Sequence, residues 1–526
     1  MKLNKFSYGV LLVCLQVVLP AAVYSQTSVL WGNLKPGEFG VGFRAVNIYD
    51  YSRSYINAEG RPIQIAIWYP AEKSKRSTQM LFKEYLDLYL VEESLAELTE
   101  QERKDNWTSW SKSYARYKVE PEKILDARAA AIKDAQVSKG RFPLIVYGAG
   151  SQGEAFENFI LAEYLASHGF VVAASPSVGI YQHVMSSTAD IRGAEGQARD
   201  MEFILAKMHD FPSVNWNKIG LVGWSRGALS SALVQMRNYQ VKAVVSLDGS
   251  LPQHEATASL STSYDISRMQ VPYMFMVGND EKSAALEYTK RIKYADTYYL
   301  NFPKLVHTDF SSIYAYLPAT VTDEPSAEQQ IKKSGYETIC RYALNCFKAN
   351  LLDDSQSRQF LQNSPEANGV NQIQLIYDTK KSLPAPPGQD EFFNIIRNDR
   401  IEKANEIYRK VKSIDPEYKI AREMDMVELA FELFNRRKRN ADAIEVMKLA
   451  VEEFPDSYEA QGYLAEIYRK NESWTEALTH FSIAYGMALK KSKETDLKLA
   501  ASLIGDIAWY RESIENMKTK LAGVIK

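Results

Sequence analysis

The chain has 526 residues, enough at roughly 150 per domain for an enzyme-sized domain followed by a smaller one. Its residues are 46% hydrophobic, 24% charged and 12% aromatic, which excludes disordered, collagenous and low-complexity classes. With 63 basic against 65 acidic side chains the net charge is -2, so there is no domain-wide positive field to neutralise phosphates and nucleic acid is not an expected partner.

Residues 1–25 read as an export signal: Lys2 and Lys5 supply a positive start, residues 8–19 an apolar run, and Val23, Tyr24 and Ser25 a cleavage site before Gln26. Gln16 and Pro20 leave the run short of the ~20 residues that a membrane anchor needs. Val13 before Cys14 is not the small residue of a lipoprotein site. No later segment is long and apolar enough to span a bilayer, so the expectation is an exported chain, periplasmic or secreted, with no membrane span after cleavage.

Residues 36–70 alternate in strand fashion, most clearly in RPIQIAIWYP, where Ile63, Ile65 and Ile67 share one face and Pro70 ends the run; sheet-edge strands are expected. Residues 79–135 are charged and helical in spacing, which predicts an inserted cap. After Arg141 the apolar runs PLIVYG, GFVVAAS, IGLVGW, VKAVVSLD and VPYMFMVG alternate with amphipathic helices, which predicts a mostly parallel sheet covered on both faces. Cys340 and Cys346 lie six apart on a helical stretch, a rise of ~9 Å, too far for a disulfide, and are expected as buried thiols. The α/β domain is expected over residues 26–363. Pro365, Pro384, Pro386, Pro387 and Gly388 mark residues 364–390 as a linker.

Residues 391–526 are helical throughout. ADAIEVMKLAVEEFP and TEALTHFSIAYGMAL align with Ala443 over Ala477, Met447 over Phe481 and Ala450 over Ala484, each offset by 34 residues. A fainter unit, EKANEIYRKVKSIDP, carries Ala404, Tyr408, Val411 and Pro416 at the same internal spacing. The pattern resembles the tetratricopeptide repeat, whose small residues let paired helices pack closely, and it implies a surface for a protein or peptide partner.

The chemistry-bearing signal is Gly223-Trp224-Ser225-Arg226-Gly227, between the strand-like IGLVG and the helical ALSSALVQM. A nucleophile on so tight a strand-to-helix turn needs small residues two before and two after it, and the turn aims Ser225 at a helix N-terminus, where an oxyanion is stabilised. A serine hydroxyl needs a general base, which in sheet hydrolases follows it in sequence. Of His254, His307 and His480, the last lies among the repeats and His254 comes too early, which leaves His307 in His307-Thr308-Asp309-Phe310. His168 precedes the serine and closes a helix, as a capping residue does. The acid that orients the imidazole is Asp248, ending VKAVVSLD, or Asp280 or Glu281, following VPYMFMVGN; strand position leaves the choice open. Gly148-Ala149-Gly150-Ser151 follows PLIVYG where an oxyanion amide is expected, beside the N–H of Arg226. The six histidines are never paired at helical spacing and no Cys-x-x-Cys is present, so no metal or other cofactor is expected.

PLIVYGAGSQ, LAEYLASHGFVVAA, GWSRGA, AVVSLDGSLP and HTDFSS, taken with IWYPAE, resemble the platelet-activating-factor acetylhydrolase and dienelactone-hydrolase-like branch of the α/β-hydrolases, from residue 36 to about 350. The resemblance implies an α/β-hydrolase fold and a calcium-independent serine esterase acting on small-molecule esters of short acyl groups. It implies Ser225 as nucleophile, Asp248 as acid, His307 as base, and the Ala149 and Arg226 amides as oxyanion hole. Tyr147 replaces the histidine usual before the oxyanion glycine, and the repeats lie outside the family pattern. Two other readings use the same residues: a tetratricopeptide-type scaffold with an idle hydrolase domain, and a serine peptidase, since triad chemistry does not separate ester from amide.

Overall fold

The computed structural model describes residues 27–73, 78–114, 119–184, 190–279, 282–371, 374–399, 401–494 and 497–524. The expected signal segment 1–25 and its cleavage point lie outside the described residues, as do Asp280 and Glu281. The chain divides into two compact units, Met1–Ser382 and Leu383–Lys526.

The first unit runs β1 (Gly40–Asp50), β2 (Arg61–Ala71), α1 (Phe82–Tyr89), α2 (Glu100–Tyr114), α3 (Pro121–Leu125), β3 (Ala131–Lys133), β4 (Phe142–Gly148), α4 (Phe159–Ser167), β5 (Val171–Ser175), α5 (Ile191–Lys207), β6 (Val214–Trp224), α6 (Arg226–Arg237) and β7 (Val241–Leu247). It continues through α7 (Glu255–Ala258), β8 (Tyr273–Gly278), α8 (Lys282–Arg291), β9 (Thr297–Phe302), α9 (Leu317–Val321), α10 (Ala327–Leu351), α11 (Ser355–Gln362) and β10 (Ile376–Lys380). Among the described residues the strands form one sheet in the order β10-β9-β8-β7-β6-β4-β5-β2-β1-β3. Pairing is parallel from β5 through β4, β6, β7 and β8 to β9, and antiparallel at β1–β2, β2–β5 and β9–β10. This is the strand order of an α/β-hydrolase fold with short additional strands at the two edges.

Helices cover both faces, as the unbroken apolar runs require. Met201 and Ile204 of α5 and Leu233 and Met236 of α6 pack on one face, while Phe82 and Tyr85 of α1, Phe159 of α4 and Phe347 of α10 pack on the other. The chain order reverses between β4 and β6, so the turns after these two strands flank the crevice where ligands of open α/β sheets bind.

Four expectations need correction. The residues 36–70 were expected at the sheet edge, but β2 is interior and buried along its whole length. Its second face carries Gln64, Ala66 and Trp68, and the Gln64 amide is satisfied inside by the Leu88 carbonyl at 3.0 Å. Pro70 sits within β2 rather than ending it. The cap over 79–135 holds α1, α2 and α3 but ends in the edge strand β3, because Ala131–Lys133 pairs with β1. The linker over 364–390 is narrower than expected: β10 pairs with β9, so these residues complete the sheet, and the division between units falls after Ser382.

Cys340 and Cys346 are fully buried free thiols on α10, and burial pushes Cys346 up to about 12. The second unit is helical: α12 (Gln389–Asn398), α13 (Ile401–Ile414), α14 (Glu423–Phe431), α15 (Asn440–Glu453), α16 (Tyr458–Lys470), α17 (Trp474–Glu494) and α18 (Leu497–Val524). From α14 to α18 each helix packs on the next. Ala443, Ala450, Ala477 and Ala484 are fully buried in one core with Met447, Leu464 and Phe481.

Candidate active site

The carboxyl ends of β6, β7 and β8 converge on one point. β6 ends at Trp224, and Ser225 turns the chain into α6 with φ 55° and ψ -123°, a left-handed conformation that a side chain adopts only when its surroundings impose it. The imposition is steric. A Cβ on Gly227 would stand 2.0 Å from the Gly148 carbonyl oxygen, and one on Gly223 would stand 2.4 Å from the Gly227 carbonyl carbon. The glycines therefore let β6, α6 and the turn after β4 touch backbone to backbone. Ser225 N–H donates to the Leu247 carbonyl at 3.0 Å, which pins the turn to β7.

His307 lies beyond β9 on a short 3-10 turn, His307–Phe310. Asp309 holds that turn by accepting from Val306 N–H at 2.9 Å. The imidazole reaches Ser225 Oγ through Nε2 at 3.0 Å and Asp248 Oδ2 through Nδ1 at 2.6 Å. Asp248 is buried; its second oxygen accepts from Gly278 N–H at 2.7 Å and its own N–H donates to the Met276 carbonyl at 2.7 Å. Two strand ends thus hold the carboxylate, with one oxygen aimed at the imidazole. An Nδ1–H donated to a carboxylate leaves Nε2 as the proton acceptor toward the serine, the tautomer a general base requires.

Of the candidates named from sequence, Ser225, His307 and Asp248 come together. Ala149 and Arg226 lie on the two turns that touch through Gly148 and Gly227. His480 lies in the helical unit, bonded through Nδ1 to Gln461 Oε1 at 2.7 Å. His168 follows α4 with Nδ1 2.9 Å from the Tyr164 carbonyl, and burial lowers it to about 4, so it is neutral near pH 7. His254, set aside as too early in the chain, opens α7 and lines the cavity beside the serine.

That cavity has a volume of about 220 Å³, with Ser225, Arg226, Ser250, His254 and Thr257 in its wall and Ile191 and Leu229 as its apolar side. A cavity of about 690 Å³ shares Ile191 with it and lies between Arg53, Arg61, Arg192 and Arg237. It contains none of the converging groups, and those four guanidinium groups bond to Asp50, Asp200, Asp190 and Glu195. Among the described residues no cluster of His, Cys, Asp and Glu could hold a metal ion.

Sequence reasoning missed two contributors. Trp224, the variable residue of the motif, donates through Nε1 to the His307 carbonyl at 3.1 Å and stacks on the imidazole with ring centroids 5.1 Å apart. Tyr147, which stands where the resembled family has histidine, points inward and bonds to Glu157 and Asn158. The aromatic residue type at each position was visible, but no local signal gave the direction of its side chain.

No protein-family model matches the chain, and no curated protein matches it. Among solved structures it is similar to a ferulic acid esterase from Streptomyces cinnamoneus, at 18% identity and a TM-score of 0.48, over 65% of this chain and 98% of that one.

Proposed function

We propose that this chain is a serine hydrolase that cleaves carboxylic esters of short acyl groups through an acyl-enzyme intermediate. The observation that carries the reading is the unbroken line from Ser225 Oγ through His307 to Asp248, at 3.0 and 2.6 Å, opening on a small cavity. His307 takes the proton of Ser225 as Oγ attacks the ester carbonyl, and Asp248 stabilises the imidazolium that forms. The Ala149 and Arg226 amides receive the oxyanion, the latter at the N-terminus of α6. His307 then protonates the departing alkoxide, and water activated by the same base releases the acid.

The cavity volume favours short acyl groups, and the segment resemblance favours the acetylhydrolase-like branch. The helical unit, read as tetratricopeptide-like, serves a protein or peptide partner, and the signal-like start directs the chain to export with Gln26 first. The test is labelling of Ser225 by a fluorophosphonate together with turnover of aryl esters from acetate to octanoate. Labelling with a preference for acetate supports the reading. Absence of labelling identifies an idle domain, and faster cleavage of anilides than esters identifies a peptidase.

A further inference from the structure

The turn after β4 and the turn carrying His307 are joined by a buried hydrogen-bonded bridge that the triad does not use. Glu157 accepts through Oε1 from the Tyr147 hydroxyl at 2.6 Å and from Gly150 N–H at 2.7 Å. Its backbone carbonyl accepts from Ser311 Oγ at 2.9 Å, Ser312 N–H at 3.2 Å and Ser312 Oγ at 2.9 Å. Asn158 donates through Nδ2 to the Phe310 carbonyl at 3.1 Å and to the Tyr147 hydroxyl at 2.8 Å. It accepts through Oδ1 from Ser312 N–H at 3.0 Å and from the Tyr336 hydroxyl at 2.7 Å. Gly150 follows Ala149 directly and Ser311 directly follows the His307 turn, so the Glu157 side chain on one side, with its backbone carbonyl and the Asn158 side chain on the other, set the spacing between the oxyanion turn and the base.

We propose that Glu157 is a positioning residue for the hydrolytic reaction, holding the oxyanion turn against the His307 turn as a neutral acid, so that its ionisation lowers turnover. The proposal rests on the reading of Ser225 as the nucleophile. The geometry fixes how the group holds the turn: Oε1 accepts both hydrogen bonds, while Oε2 is buried with no hydrogen-bond partner among the described residues, so no ion pair offsets the burial of this carboxyl. No cation stands among the influences on this carboxyl. Burial is the largest and pushes it up to about 8, the bonds from Tyr147 and Gly150 pull it down, and the Glu154 charge adds to the rise. The other titratable groups around it are Glu154 on the same loop and Glu92 beyond α1, both raised by burial, and Tyr147 of β4, itself raised by burial and faced by Tyr336 of α10.

The sign follows from the raised value. Below about 8 the group is neutral; above it, a negative charge sits beside amides that must receive a developing oxyanion, and like charges in a poorly screened interior oppose each other. The folded state also loses stability as pH rises from the ordinary 4.5 to about 8, where the unfolded chain ionises and the folded chain does not.

The experiment measures kcat and KM for phenyl acetate from pH 6 to 10, background-corrected, on the full chain, on Glu157→Gln and on Glu157→Ala, with fluorophosphonate labelling rates and Tm at each pH. Wild-type kcat should fall with a midpoint near 8. Glu157→Gln keeps the accepting oxygen without the ionisation, so it should stay within about threefold of wild type at pH 6.5 and show no fall up to about pH 9.5. Glu157→Ala should lose roughly 10- to 100-fold in kcat at every pH with KM little changed. A wild-type fall that persists in Glu157→Gln overturns the proposal, as does a Glu157→Ala variant with wild-type kcat. If the alanine variant does not fold, the glutamine variant decides alone. A wild-type chain that neither labels nor turns over defeats the serine-hydrolase reading and this proposal with it. Labelling and turnover with an unaltered pH limb in Glu157→Gln defeats only the role of Glu157.

Discussion

The two units bury polar groups in different ways. In the sheet unit, carboxyl groups run through the core. Glu163 accepts from Trp31 Nε1 at 2.8 Å, from the Tyr85 hydroxyl at 2.8 Å, and from the Ala130 and Ala131 amides at 3.0 and 3.1 Å. Asp200 takes the Arg61 guanidinium through both oxygens, at 2.7 and 2.6 Å. In the helical unit the core is built from Ala, aliphatic, Met and aromatic side chains, and many ion pairs stand at three- and four-residue spacing along the helices, such as Arg422 with Asp425 and Lys448 with Glu445. Glu453, held by Tyr408 and Lys412, departs from that pattern. Directional bonds fix atoms to within tenths of an ångström, which proton transfer needs. Alanine packing fixes the spacing of helices and leaves their outer faces free of structural duty. The function proposed above places chemistry in the first unit and recognition in the second.

The sharpest challenge to that division is Ser225→Ala, which should lower turnover by about 10⁴- to 10⁶-fold while leaving the fold intact, measured on phenyl acetate with circular dichroism as control. Asp248→Asn should cost ~10⁴-fold by leaving His307 in the wrong tautomer, whereas Asp280→Asn and Glu281→Gln should each cost less than about tenfold. A large loss at 280 or 281 with a mild one at 248 would reassign the acid. Glu163→Ala strands four buried donors and should destabilise the sheet unit by about 3–5 kcal/mol in denaturant unfolding. Ala450→Leu overfills the helical core and should cost about 1–3 kcal/mol there with turnover unchanged. Smallest of all, a chain ending at Ser382 should keep its turnover within about twofold of the full chain, since the converging groups all precede that point. Loss of activity on that truncation would show that the helical unit completes the site.

The serine was legible because its constraint is local: two glycines and a strand-to-helix transition within five residues. His307 followed from elimination and Asp248 from a strand end, and the resemblance chose Asp248 where position alone could not. The interior place of β2 was not legible, since Gln64 breaks the apolar pattern and its burial depends on a distant carbonyl, that of Leu88. β10 was read as linker because an edge strand exposed along most of its length shows no alternation. Glu157 and Asn158 gave no signal, because their meaning lies in contacts with Ser311 and Ser312, which are far away along the chain.

The pairing of β10 with β9 also bears on how the chain is made. As synthesis proceeds from the N-terminus, TYYLNF of β9 is finished long before its neighbour, and its outer edge stays open until Lys380 has emerged to lie opposite Thr297. Over that interval the nascent protein presents a row of unpaired amides and carbonyls flanked by Tyr298 and Tyr299, an invitation to stray pairing. The short strand that finally covers it carries Asp378, Thr379 and Lys380, charged and polar residues on an edge with which no further strand pairs among the described residues. The segment that leads out of the sheet unit therefore acts as its seal, and a ribosome stalled before residue 380 would hold a chain in which Ser225, Asp248 and His307 are all present and whose sheet is still adhesive.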